Sequence, residues 1–93
     1  LEVFREAADA VATYRHVREA AALKGALCDA AREYVRLAHL QYRAGSINYI
    51  DVLDAQRRYF GAQIGLSNAV RDEHLALVGL YKALGGGWQT GAE

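Results

Sequence analysis

Three histidines, one cysteine and a close pair of aspartates are the residues of this chain whose types invite chemistry. A di-iron site in a helical bundle needs a glutamate three residues before each histidine. His16, His39 and His74 all lack it, and His16 is instead followed by Glu19, the reverse order. They read as solvated histidines on helices. Cys28 has no base near it in sequence and reads as a buried apolar thiol; a lone cysteine also excludes an intrachain disulfide framework and a multi-cysteine metal site. The glycines at 85–87 follow a helical stretch rather than precede one, so they form no phosphate-cradling loop. No nucleophile triad assembles, and no catalytic residue, metal or cofactor is implied. Asp51 and Asp54 stand three apart, so in a helix both project from one face. Read from the residues alone, acidic groups in a first turn complement the helix dipole. Asp54 can also pair with Arg58, four residues on, in the favourable orientation.

The elements that must position these groups follow from apolar spacing. Val3, Ala7, Ala10, Tyr14, Val17, Ala21, Lys24, Cys28, Ala31, Val35, Ala38 and Tyr42 alternate steps of four and three, and Lys24 alone breaks the stripe. This period of about 3.5 residues predicts a helix in a left-handed supercoil. The pattern stops at Arg43-Ala44-Gly45-Ser46, where Gly45 suits the left-handed residue just past a helix C-terminus. A second stripe runs through Val52, Ala55, Tyr59, Ala62, Leu66, Ala69, Glu73, Ala76, Leu80 and Ala83, with Glu73 the exception. Either Ser46 or Asn48 caps its start; with Asn48 as cap, Asp51 falls at the third helical position, resembling a capping box. Three consecutive glycines after Leu84 predict its end. The reading is all-α, two long antiparallel helices in a coiled-coil hairpin: helix one over 1–43, a tip turn over 44–48, helix two over 49–84 and a Gly-rich end with a frayed tail over 85–93.

Composition supports helices and excludes several roles. The chain has no proline, abundant alanine and 53% hydrophobic residues. Eleven basic and eleven acidic residues cancel, so there is no bulk field to recruit nucleic acid or an anionic membrane. No apolar run approaches the ~20 residues a membrane helix needs. Residue 1 is Leu, already within a helical pattern, and the chain is expected to be a piece of a longer protein whose targeting and membrane-spanning parts lie elsewhere. Apolar surface is in surplus. A further stripe on helix one holds Ala20, Leu23, Leu27, Ala30, Tyr34 and Leu37, and helix two adds Ile50, Leu53, Phe60, Ile64, Val70, Leu77, Tyr81 and Leu84. One partner covers one seam, so more helices must pack here, in a wall or in a multi-helix bundle. Small residues, with Gly61, Gly65 and Gly79 on helix two, are expected to allow close backbone approach. Alone, the chain is expected to self-associate.

The run from Tyr42 to Arg57, Tyr-Arg-Ala-Gly-Ser-Ile-Asn-Tyr-Ile-Asp-Val-Leu-Asp-Ala-Gln-Arg, resembles the periplasmic tip of TolC-type outer-membrane efflux factors. The ending Leu80-Tyr81-Lys82-Ala83-Leu84-Gly85-Gly86-Gly87-Trp88 resembles the end of the repeat in their lipoprotein branch, and Glu2 to Ala10 is similar to the start of the matching helix. The resemblance implies the second periplasmic hairpin of a homotrimeric channel in a Gram-negative outer membrane, part of a trimeric α-barrel. Drugs would leave through it after a periplasmic adaptor and an inner-membrane resistance-nodulation-division pump dock. It implies that Asp51 and Asp54 ring a narrow aperture, where three converging copies would favour cations, and that Tyr42 is a gate tyrosine, its alternative being a heptad core position. It implies adaptor docking at Ala44, Gly45 and Ser46. Ile47 departs from the family pattern, standing where a gate-locking arginine is found, with Arg43 the nearest cationic substitute. The rival reading is the coiled-coil hairpin of a periplasmic adaptor or another helical assembly scaffold. A cofactor-binding four-helix bundle lacks its ligand spacing.

Overall fold

The computed structural model describes residues 1–92, with side-chain surroundings for residues 1–85. It contains two helices, α1 (Glu2–Arg43) and α2 (Tyr49–Ala92), which form a hairpin, and no strand among the described residues. Alanine-rich, proline-free sequence favours both helices, and exposed pairs one turn apart, Arg32 with Asp29 and Arg36 with Glu33, lace the outer face of α1. The hydrogen bonds from Arg36 hold the Glu33 carboxyl below its ordinary range. No helix of the described residues is long and apolar enough to cross a membrane.

The chain divides into two compact units, one of Ala22–Asn68 and one of Leu1–Ala21 with Ala69–Glu93. In the first, Ala38, Val52 and Ala55 are buried and form a small core, with Val35 and Ile47 packed against it. Cys28 is buried as a free thiol. In the second, Ala7, Ala10, Tyr14 and Val17 of α1 and Ala69, Glu73, Ala76, Leu80 and Ala83 of α2 are half-buried. The stripe on α2 is inward-facing at every position from Val52 to Ala83. On α1 the stripe holds except at Val3, Lys24 and Tyr42, which are exposed.

One expectation fails. The helix placed over 49–84 continues to Ala92. Gly85 does not adopt a positive φ, so it lacks the left-handed geometry with which Gly45 ends α1. Of the tail expected at Gln89–Glu93, residues up to Ala92 belong to the helical span and Glu93 lies outside the described residues. The glycines of α2 make no close contact with the α1 backbone among the described residues. A Cβ added at Gly61 or Gly79 would meet nothing within 4 Å, and one at Gly65 would meet only the Lys24 Cδ at 4.0 Å.

Candidate functional site

The candidate site is the turn and the first turns of α2, all within the Ala22–Asn68 unit. Helix α1 ends in a Schellman motif. The Ser46 N–H donates to the Gln41 carbonyl at 2.9 Å and the Gly45 N–H to the Tyr42 carbonyl at 3.0 Å. Gly45 closes it with φ of +80°, the left-handed conformation that glycine alone adopts without strain. Asn48 immediately precedes α2, and its carbonyl accepts from the Asp51 N–H at 3.0 Å. That settles the cap position on Asn48 rather than Ser46. It also explains Ile47. One residue before the cap, Ile47 packs against the core cluster that contains Val52, the fourth helical residue, which is a hydrophobic staple. An apolar residue is needed there to fix how the chain enters α2, and no pattern of alternating stripes would have found it.

Ala44, Gly45 and Ser46 are all exposed at the end of the hairpin. Tyr42 is exposed rather than a core residue. Its ring meets Tyr49 edge-on across the turn, centroids 5.1 Å apart and planes at 63°, a geometry that the ring quadrupoles favour. A second link joins the helices a turn further in, where Gln56 Nε2 lies 3.3 Å from His39 Nε2.

The two aspartates, on one face of α2, have different surroundings. Asp54 sits in a fork: Arg57 Nη2 donates to its Oδ1 at 2.8 Å and Arg58 Nε to its Oδ2 at 2.9 Å. The Arg58 pair is the one that spacing predicts; the Arg57 pair at i+3 is additional. The hydrogen bond from Arg57, reinforced by the charge of Arg58, holds the Asp54 carboxyl below the ordinary aspartate range. Asp51 is exposed and has no ion-pair partner among the described residues. From Arg43 to Arg58 the formal charge is therefore +1, with Arg43, Arg57 and Arg58 against Asp51 and Asp54. Among the described residues no group of three metal-ligating side chains gathers.

Along this unit large apolar side chains stay in the open, among them Leu23, Leu27, Tyr34 and Leu37 on α1 and Ile50, Leu53, Phe60 and Ile64 on α2. Exposed apolar stripes of this length are the kind of surface on which another molecule or element packs.

Comparison with known proteins bears on the role of the hairpin. The chain is 39% identical over 88 residues to outer membrane protein OprJ of Pseudomonas aeruginosa, covering 95% of this chain and 18% of that protein. It is 41% identical over 87 residues to the solvent efflux pump outer membrane protein SrpC of Pseudomonas putida, covering 94% and 18%. It is 40% identical over 90 residues to the antibiotic efflux pump outer membrane protein ArpC of the same species, covering 95% and 19%. The chain thus spans about a fifth of the length of these relatives. No solved structure matches it. Since residues 1–86 match the family described as outer membrane efflux protein, this chain belongs to that family.

Proposed function

We propose that the hairpin is the second periplasmic hairpin of a trimeric outer-membrane efflux channel, a wall element of its tunnel and not an enzyme. The observation that carries this reading is the family match across residues 1–86. The names of relatives as solvent and antibiotic efflux pump outer membrane proteins support export of small molecules. The open flanks of α1 and α2 support a barrel in which sister helices cover them.

In this reading the turn is the periplasmic tip of a channel anchored in the outer membrane of a Gram-negative bacterium. Tyr42, Asp51 and Asp54 surround the narrow aperture, where three copies of each carboxylate would meet and draw cations. Ala44, Gly45 and Ser46 form a small, exposed end on which a periplasmic adaptor docks, linking the channel to an inner-membrane resistance-nodulation-division pump. The test is electrical. In the full-length channel in a planar bilayer, Asp51→Ala combined with Asp54→Ala raises single-channel conductance and weakens block by divalent cations; unchanged recordings would remove the aperture from this turn. Docking has its own readout. Ser46→Trp leaves the trimer assembled but abolishes drug resistance in cells, and normal resistance would place the adaptor elsewhere.

A further inference from the structure

We infer that Arg57 and Arg58 determine the ion specificity of the aperture, because they occupy both carboxylate oxygens of Asp54 and leave Asp51 as the acid open to a passing cation. This rests on the aperture reading above and divides the two aspartates that the reading treats alike.

The geometry is asymmetric. Each Asp54 oxygen accepts from a different guanidinium, at 2.8 and 2.9 Å. A cation seeking Asp54 must displace a donor of its own sign, and the fork as a whole carries one net positive charge. The two arginines are consecutive and stand three and four residues beyond Asp54, so a single helical turn brings both to the carboxylate with no help from another element. Asp51 is one turn nearer the end of the hairpin, exposed, and without an ion pair among the described residues. Arg43, the remaining cation of the turn, donates to neither aspartate. The arginines therefore set how much of the local negative charge reaches the lumen: they mask Asp54 and leave Asp51 bare.

A double-mutant cycle on the full-length channel in a planar bilayer, with Mg2+ on the periplasmic side as the blocking probe, tests this. Arg57→Gln with Arg58→Gln tightens the block on the order of three- to tenfold per arginine, the effect of a unit charge ~6 Å from a divalent ion in a water-like, salt-screened medium. Asp54→Asn weakens the block by a larger factor in that background than in the wild type, whereas Asp51→Asn weakens it by the same factor in both. Equal factors for Asp54→Asn in the two backgrounds, or an unaltered block in the arginine variant, would overturn the masking while leaving the aperture standing. If none of these substitutions moves the block, the aperture reading fails and this inference with it. The reversal potential in a KCl gradient gives a second measure on the same trimers: it shifts toward cation selectivity when the arginines are removed, and an unshifted potential would count against masking as well.

Discussion

Gly45 offers the cleanest test of what terminates α1. Its φ of +80° places it in the left-handed region, and a Cβ built there meets nothing within 4 Å. Any cost of substitution is therefore conformational rather than steric. An L-residue held in that region costs about 1–2 kcal/mol. Alanine also restricts the unfolded chain, which returns about 0.4–1 kcal/mol. Gly45→Ala is therefore expected to destabilise by roughly 0.5–1.5 kcal/mol, and Gly45→Asn by less, since asparagine tolerates the left-handed region. A synthetic chain with D-alanine at position 45 reverses the sign, because the D-residue prefers this φ and still stiffens the unfolded state. Urea unfolding followed by helical circular dichroism, at one fixed protein concentration, reads the differences as midpoint shifts with an unchanged slope. If L- and D-alanine shift the midpoint alike, the hand of the backbone at Gly45 is not what closes the helix, and the reasoning is wrong.

Two further outcomes follow from the same unit. Val52 is fully buried in the small core with Ala38 and Ala55, so Val52→Ala should cost about 1.5–3 kcal/mol in the same unfolding assay, from lost burial and the cavity left behind; a cost below 0.5 kcal/mol would show that the cluster closes over the gap. For Asp54, whose folded carboxyl titrates below its unfolded value, the ion pairs contribute stability above the unfolded pKa, and this is lost as pH falls through the lowered folded pKa. An NMR titration of the Asp54 carboxyl should show a midpoint below the ordinary value, moving up in Arg57→Gln; a midpoint that ignores Arg57 refutes the fork.

Much of the hairpin was legible because the order of side chains itself carries the 3.5-residue period. All ten stripe positions from Val52 to Ala83 turn inward, Glu73 among them. Two of the three exceptions on α1, Lys24 and Tyr42, have local causes. Lys24 is long enough to carry its charge outward while its stem passes Gly65. Tyr42 stands one residue before the end of α1 and meets the ring of Tyr49, the first residue of α2, so its partner lies at the turn rather than in the seam. Ile47 was illegible for a different reason. Its meaning depends on which residue caps α2, and only with Asn48 as the cap do Ile47 and Val52 fall into the staple relationship. The Arg57 arm of the Asp54 fork was equally hidden: spacings of three and four both suit a helix, and rotamers, not spacing, decide that both are used. Glycine after Leu84 is not in itself a stop: α1 ends where Gly45 turns left-handed, and Gly85 makes no such turn.

The open flanks lead to a prediction about the 93-residue chain on its own. Leu23, Leu27, Tyr34 and Leu37 recur at heptad spacing along α1, and each keeps 44–61% of its surface exposed. Covering what remains of each contributes on the order of 1 kcal/mol, about half of full burial. Two copies meeting through this flank alone would gain roughly 8 kcal/mol, against an association cost of ~4–15 kcal/mol. That is near break-even. Ile50, Leu53, Phe60 and Ile64 supply a second flank on α2 in the same unit, and using both roughly doubles the gain while the rigid-body part of the cost stays fixed. Self-association is thus expected only where both flanks are covered, and it should fail in an all-or-none way. Leu27→Glu on α1, or Phe60→Glu on α2, should each return the chain to monomer in sedimentation equilibrium although neither touches the buried core. A wild-type chain that stays monomeric at high concentration would show that the hairpin hides its apolar flanks without a partner, and would remove the main physical reason for placing it in a wall of sister helices.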